Sequence, residues 1–453
     1  MRTESRRLTI GALIAAAASL ALTACAAEEN AVTDSAAAAA AADTVPACTG
    51  DNAGLTLPAG ICASVFADSV GPARHIVVAA NGDVYATLEG TNAQKTAPGA
   101  AVVALRDTSK DGRADVTERI GKTGNSGIAL FNDHLYVDEG ATIVRYRRGA
   151  DELTPSGARE VIVQGLPLTP GHRARTIAIG NDGALYVNVG SISNSCQQRD
   201  RAENSPGRDP CPELETRAGI WKFDANKPGQ RFTREARFAT GIRNGMAIGI
   251  NPADGSLYVA QHGRDQLYDA WRTVFTTTQY QAENPGEELL QVAQGDDYGW
   301  PYCYYAMDLK KRVTAPEYGG DGKKTERCES QKAPVAVFPG HWAPMSLLFY
   351  TGSALPAKYR NGVFVAFHGS WNRAPEPQAG YRVSFQPLSG NQATGEAETF
   401  ADGFAGLPPA DIQPGRAKHR PVGLAQGPDG ALYISDDAGG RIYRLTSSRP
   451  AAR

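Results

Sequence analysis

The 453-residue chain carries no surplus of charge: 46 Lys and Arg face 48 Asp and Glu, a formal net charge of -2. Without a basic excess, recognition of nucleic acid by phosphate neutralisation is excluded and no charge-driven partner is implied. There is no Cys-x-x-Cys and no Cys-x-x-Cys-His, which excludes covalently attached haem and leaves zinc with little support. Sustained helical periodicity is also missing, so alternating βαβ folds fit poorly. The apolar run from Leu8 to Leu22 is too short to span a bilayer.

That run follows Arg2, Arg6 and Arg7 and ends in small residues, the pattern of an export signal over residues 1–24. Its end, Leu22-Thr23-Ala24-Cys25, resembles the bacterial lipobox. The resemblance implies cleavage before Cys25, lipidation there, and attachment to a membrane surface, at the periplasmic face of an outer membrane or the cell surface. A conventional signal peptide with an incidental cysteine is the alternative. Multiple acyl chains hold far better than one, since each buried CH₂ adds ~0.8 kcal/mol. Residues 25–47, with Ala36 to Ala42, lack the large apolar residues of a core and read as a tether, or as a short helix given the propensity of alanine. Six cysteines remain: Cys48, Cys62, Cys196, Cys211, Cys303 and Cys328. In an oxidising compartment they are expected to pair with their sequence neighbours in that order, each closure stabilising by about 3 kcal/mol.

From residue 48 onward, turn residues followed by alternating apolar strand residues recur six times. The copies begin at Asn81-Gly82-Asp83, Asn132-Asp133-His134, Asn181-Asp182-Gly183, Ala253-Asp254-Gly255, Asn361-Gly362-Val363 and Pro428-Asp429-Gly430. Six such hairpins predict an all-β, six-bladed β-propeller of four-stranded blades over residues 48–453. The widest gap, about residues 262–340, contains Trp271, Tyr280, Asp297-Tyr298-Gly299-Trp300-Pro301 and the Cys303/Cys328 pair. It reads as one long, ordered, inserted loop that walls a site.

Before each repeat, polar residues open another strand-like segment: Arg74-His75, Asn125-Ser126, His172 to Arg175, Arg243-Asn244, His341-Trp342 and His419-Arg420. In a propeller these starts converge on one mouth of the central channel. The mouth is expected to be cationic and to take a small polyanion, carboxylate or phosphate, through Arg forks. Solvation of the channel, or pairing with Asp436, Asp437 or Glu139, is the alternative for any one of them.

Four motifs in order carry a family resemblance: Gly171-His172-Arg173-Ala174-Arg175 ahead of Leu185 to Gly190; Gly241-Ile242-Arg243-Asn244; His368-Gly369-Ser370-Trp371-Asn372-Arg373; and His419-Arg420-Pro421 ahead of Gly427 to Gly430. Nearly the whole mature chain resembles the sorbosone dehydrogenase and pyranose dehydrogenase branch of the soluble PQQ-dependent sugar dehydrogenases. The resemblance implies oxidation of an aldose or aldehyde-type sugar by hydride transfer to PQQ, a tricarboxylate quinone, with an external electron acceptor, a quinone or cytochrome. It implies His172 as general base, and Arg243, Asn244, Arg373 and Arg420, with His419 and Arg74, as cofactor contacts. It implies a catalytic Ca²⁺ on the main-chain carbonyls of Gly263 and Arg264. The glutamine expected shortly after the Arg-Asn pair is Met246 here.

Trp371 and His341 are candidates to meet the sugar, with Trp342 nearby; core packing is the alternative for the tryptophans. Separately, Asp107, Ser109, Asp111, Asp115 and Glu118 have the spacing of a second calcium loop, for which an ordinary Asp-Gly turn is the alternative. Two rival functions remain, a Ca²⁺-dependent propeller lactonase or hydrolase and a non-catalytic binding propeller.

Overall fold

The computed structural model describes residues 48, 50–88, 101–122, 124–168 and 170–448. The export signal, Cys25 and the tether lie outside them. The described residues build six blade sheets, antiparallel except where Gln230–Arg231 joins Arg159–Gln164 in parallel, whose innermost strands are Ala73–Val78, Ile128–Phe131, Ile177–Ile179, Ala247–Ile250, Pro344–Leu348 and Pro421–Gln426. We number the blades 1 to 6 in this order. Each innermost strand packs on those of both neighbours, and that of blade 1 touches those of blades 2 and 6, so the ring is closed. Blade 6 takes its outer strand, Ile61–Ala67, from the start of the body, paired antiparallel with Ile442–Ser447. The expected six-bladed propeller is what forms.

Each sequence repeat is the hairpin between the first and second strands of a blade. The local cause is turn chemistry. Asp182, Asp254 and Asp429 each accept the amide two residues on, at 3.1, 2.9 and 3.0 Å, closing a turn from within. Asn132 and Asp133 stand at φ 45° and 57°, the left-handed pair that matches strand twist. Because every sheet is sandwiched between two others, second strands such as Val84–Leu88, Ala184–Val189 and Gly362–Phe367 are buried on both faces. Each large aliphatic so buried contributes about 1.5–3 kcal/mol.

Three disulfides join Cys48 to Cys62, Cys196 to Cys211 and Cys303 to Cys328, the expected local pairs. The supposed single inserted loop is instead two insertions, because strand Glu287–Val292 runs through it and Ala336–Phe338 completes blade 4 near its end. The first insertion carries the short helices Leu267–Ala270 and Thr278–Glu283, the second the hairpin Cys303–Ala306 and Lys311–Thr314. Among the described residues no helix is long and apolar enough to cross a membrane.

The candidate calcium loop is a self-capped turn. Asp107 accepts from Ser109 Oγ and from the amides of Asp111 and Gly112, and Asp115 accepts from Thr108 and Ser109. Asp111 accepts the amide of Arg113, and Glu118 is exposed on strand Val116–Ile120. The Asp107 and Asp115 oxygens are taken by backbone and hydroxyl donors, and among the described residues no three acidic, His or Cys side chains converge on a metal position.

Candidate active site

The central channel changes character along its length. Beneath the mouth, at the starts of the inner strands, buried Met246, Met345 and Val422 pack together with Ala174 as an apolar plug. Met246, where the family resemblance calls for glutamine, is therefore a core residue; its sulfur lies 4.0 Å from Asn188 Nδ2.

Antiparallel pairing brings the ends of the second strands back to the same mouth. Residues just after the repeats thus face those just before them: His172 N donates to Ser191 O at 2.9 Å, His262 N to Asn244 O at 2.9 Å and His368 N to Ala343 O at 3.0 Å. Sequence reasoning singled out the residues before each repeat and passed over His262, Asp265, Glu287 and the residues around Ser191. A symmetric search of the positions after each repeat would have found most of them.

His172 is half-buried, and its Nδ1 lies 3.0 Å from both Ser191 O and Ser191 Oγ. A carbonyl only accepts, and the Ser191 hydroxyl gives its own proton to Ser193 O at 2.7 Å, so both partners require the proton on Nδ1. The lone pair is left on Nε2, which makes no hydrogen bond among the described residues. Burial, then the charge of Arg243, pushes the imidazole pKa down to about 3, so it stays neutral across the physiological range. Gly190 lies beneath: a Cβ there would stand 2.6 Å from His172 Cβ and 2.8 Å from Asn244 Oδ1. Only glycine lets the base and the amide meet over that strand.

The expected cationic ring is largely compensated. Arg74 meets Asp437 at 2.7 Å, and Arg243 meets Asp265 at 3.1 Å. Asp265 also takes Arg201 at 2.8 Å and Asn372 Nδ2 at 2.6 Å. Burial opposes its ionisation, but Arg243 and Arg201 outweigh burial and hold its carboxyl well below the usual range. His262 donates Nε2–H to Pro344 O at 2.8 Å, and burial drops its pKa to about 4. Behind it, Glu287 accepts the amides of Gly263 and Ala343, and burial pushes it up to about 8.

Several predicted contacts are spent on the protein. Arg243, 3% exposed, gives its guanidinium to Asn194 O and Oδ1, Gly263 O and Asp265. Arg373 binds the carbonyls of Pro377, Ala282 and Gly340 and the Glu283 carboxylate, fastening the first insertion to blade 5. His341, expected at the sugar, is 5% exposed with Nε2 on the carbonyls of Gln281 and Asn284 and Nδ1 taking Asn372. His419 turns to Asp436 and Tyr443 and lines a side cavity with Asp51, Leu55 and Lys418. Trp342 packs on Phe367 with the Arg382 guanidinium over its ring.

What stays available is a smaller set. Arg420 uses Nε and Nη2 on the carbonyls of His368 and Gly369 at 3.0 and 2.7 Å, which leaves Nη1 without a hydrogen-bond partner among the described residues. Asn244 and exposed Arg173 stand at the same mouth and Trp371 is 57% exposed, whereas Arg74 is held by Ser126 and Asp437. The Arg264 side chain turns away to a buried pair with Glu317 at 2.5 Å, while the Gly263 carbonyl is shared with Arg243.

The TrAA12-like family matches residues 55–448. A pyrroloquinoline quinone-dependent sugar dehydrogenase of Hypocrea jecorina is 23% identical over 437 residues, covering 89% of this chain and 93% of that one. A protein of Borreliella burgdorferi is 27% identical over 215 residues, 47% of this chain; the match spans 49% of that protein, about half its length. The calcium structure of a Trichoderma reesei enzyme of Carbohydrate-Active Enzymes Family AA12 superposes with a TM-score of 0.70 at 19% identity, covering 88% of this chain and all of that one. With the matched region running from the first turn of the body to the last strand of blade 6, the chain belongs to the TrAA12-like family.

Proposed function

We propose that this protein is a PQQ- and Ca²⁺-dependent dehydrogenase of an aldose or aldehyde-type sugar, passing electrons to an external quinone or cytochrome. The observation that carries the reading is His172, a neutral imidazole at the channel mouth with its proton on Nδ1 and its lone pair directed away from Ser191. A base of this kind takes the proton of a substrate hydroxyl at Nε2. The sugar-dehydrogenase name of the Hypocrea jecorina relative supports the substrate class.

The donors left at the mouth fit a planar polycarboxylate. Arg420 Nη1 would meet a carboxylate, and Asn244, packed with His172 over the Cβ-free Gly190, would meet a ring oxygen. PQQ, when bound there, accepts the substrate's carbon-bound hydrogen as hydride. Trp371 offers an exposed ring on which a sugar face can stack. Ca²⁺ would rest on the carbonyls of Gly263 and Arg264. The first of these already takes an Arg243 N–H at 2.8 Å, so a bound ion would share that carbonyl with a guanidinium. The hydrolase alternative needs carboxylates open to a tunnel metal, whereas Asp265 and Asp437 are each committed to arginine. Three disulfides suit export into an oxidising compartment, and we place the protein as a lipoprotein held at the outer membrane or cell surface through Cys25.

The test is reconstitution of the purified protein with PQQ and Ca²⁺, followed by the quinone spectrum and a sugar screen with an artificial acceptor. A bound-quinone spectrum bleached by sugar is expected. Neither change appearing would overturn the reading.

A further inference from the structure

Glu213 lies outside the mouth, yet its carboxylate shapes the turn that holds His172. Its residue is 7% exposed and belongs to the short helical turn Pro212–Glu215, directly after Cys211. One oxygen accepts the amides of Ile192 and Ser193 at 2.7 and 3.1 Å; the other accepts the Ser193 hydroxyl. All three donors belong to the turn after the second strand of blade 3. Two ionic oxygens taking three donors make charge-assisted bonds that fix a backbone more tightly than neutral ones.

The residue on the other side of this turn is Ser191, both of whose oxygens face His172 Nδ1. Its hydroxyl reaches across to Ser193 O, inside the segment that Glu213 clasps. Its carbonyl also takes the His172 amide. Gly171, at φ +86°, lets the chain enter against this turn, since a Cβ there would come within 2.3 Å of Ile192 O. The Cys196–Cys211 bridge ties the end of the turn to the residue preceding the Glu213 helical turn.

We infer that Glu213 is a positioning residue that sets the tautomer of His172 by holding the Ser191–Ser193 turn with its carbonyl and hydroxyl aimed at Nδ1. The inference rests on the proposed role of His172 for its catalytic consequence, but the tautomer itself is independent of that role. The carboxylate accepts from all three; a carboxamide that kept its oxygen on the two amides would turn its NH₂ toward Ser193 Oγ, which already accepts the Cys196 amide, and would drive the hydroxyl proton away from residue 213. With the turn released, Nδ1 loses its two acceptors and the proton can move to Nε2, which removes the lone pair from the mouth.

The experiment compares wild type and Glu213→Gln by nitrogen-15 imidazole spectra of the apo-protein, with His172→Gln to assign the signal. Wild type is expected to show the Nδ1–H tautomer and Glu213→Gln a mixture. In the reconstituted enzyme kcat should fall roughly tenfold to a hundredfold with KM little changed, part of the ~100- to 10,000-fold that a positioned base supplies. Ser193→Ala, which removes one of the three donors, should give a smaller change of the same kind and serves if Glu213→Gln does not fold. An unaltered His172 tautomer in the folded variants would overturn the inference. A shifted tautomer in a protein that proves to have no PQQ activity would uphold it while removing the functional reading.

Discussion

The two ends of the central channel are built by the same six strands and differ completely. At one end stand His172, Arg243, Asn244, His262, Asp265, Arg420 and Asp437, tied together by ion pairs and hydrogen bonds. At the other, a cavity of about 420 Å³ is lined largely by Ile76, Val78, Leu130, Ile250, Leu348 and Leu424. Between them lies the plug of Met246, Met345 and Val422. The apolar end packs the ring and the polar end carries the proposed site, so substitutions at the two ends should separate stability from function.

The largest effect is expected at the mouth. His172→Ala should lower kcat by about 100- to 10,000-fold, the range a general base contributes, while the bound-quinone spectrum persists; loss of the spectrum would assign His172 to binding instead. Next, Arg420→Gln should weaken PQQ about tenfold to a hundredfold, since hydrogen bonds to charged groups are worth roughly 1.5–3 kcal/mol. Titration of the quinone absorbance reads this directly, and an unchanged affinity would move the cofactor away from blade 6.

The opposite end should answer in the other currency. Leu424, packed with Phe364, Ile434 and Tyr443, should cost about 2–5 kcal/mol on truncation to Ala, measured by denaturant unfolding, with kcat/KM of the folded fraction unchanged. A fall in kcat/KM would mean that the plug transmits strain and that the two ends are not independent.

The smallest effect is on pH. Burial holds His75 and His172 down from 6.5 to about 4 and about 3. Between about pH 4 and 6.5 the unfolded chain therefore binds protons at these residues that the native protein refuses, so their contribution to stability, like that of His262, rises with pH, while Glu287, pushed up to about 8, contributes in the opposite sense. Thermal unfolding from pH 4 to 7 checks the sign. Set against wild type, the double replacement His75→Gln with His172→Gln should lower the slope by the share of these two residues, and an unaltered slope would locate the linkage elsewhere.

The mouth also separates what was legible along the chain from what was not. The starts of the inner strands could be read because each precedes a hairpin whose turn chemistry is local, Asp182 or Asp429 accepting an amide two residues on. The fate of the arginines could not. Arg243 and Arg420 look alike before their strands, yet Arg243 closes on Asn194 and Asp265, whereas Arg420 keeps Nη1 in reserve. Likewise Asp107 to Glu118 has the spacing of a calcium loop, and the pattern alone does not say that its carboxylates fold back onto their own amides.

By itself, then, the sequence determined the six hairpins, the three neighbouring cysteine pairs and the polar character of one channel mouth, because turn geometry, short loop closure and strand alternation act over a few residues. Tertiary structure alone decided which of those polar groups remain free to meet a ligand. Glu213 reaches Ile192, Arg373 reaches Gly340 and Asp265 reaches Asn372, and such pairings depend on which blades the closed ring makes neighbours.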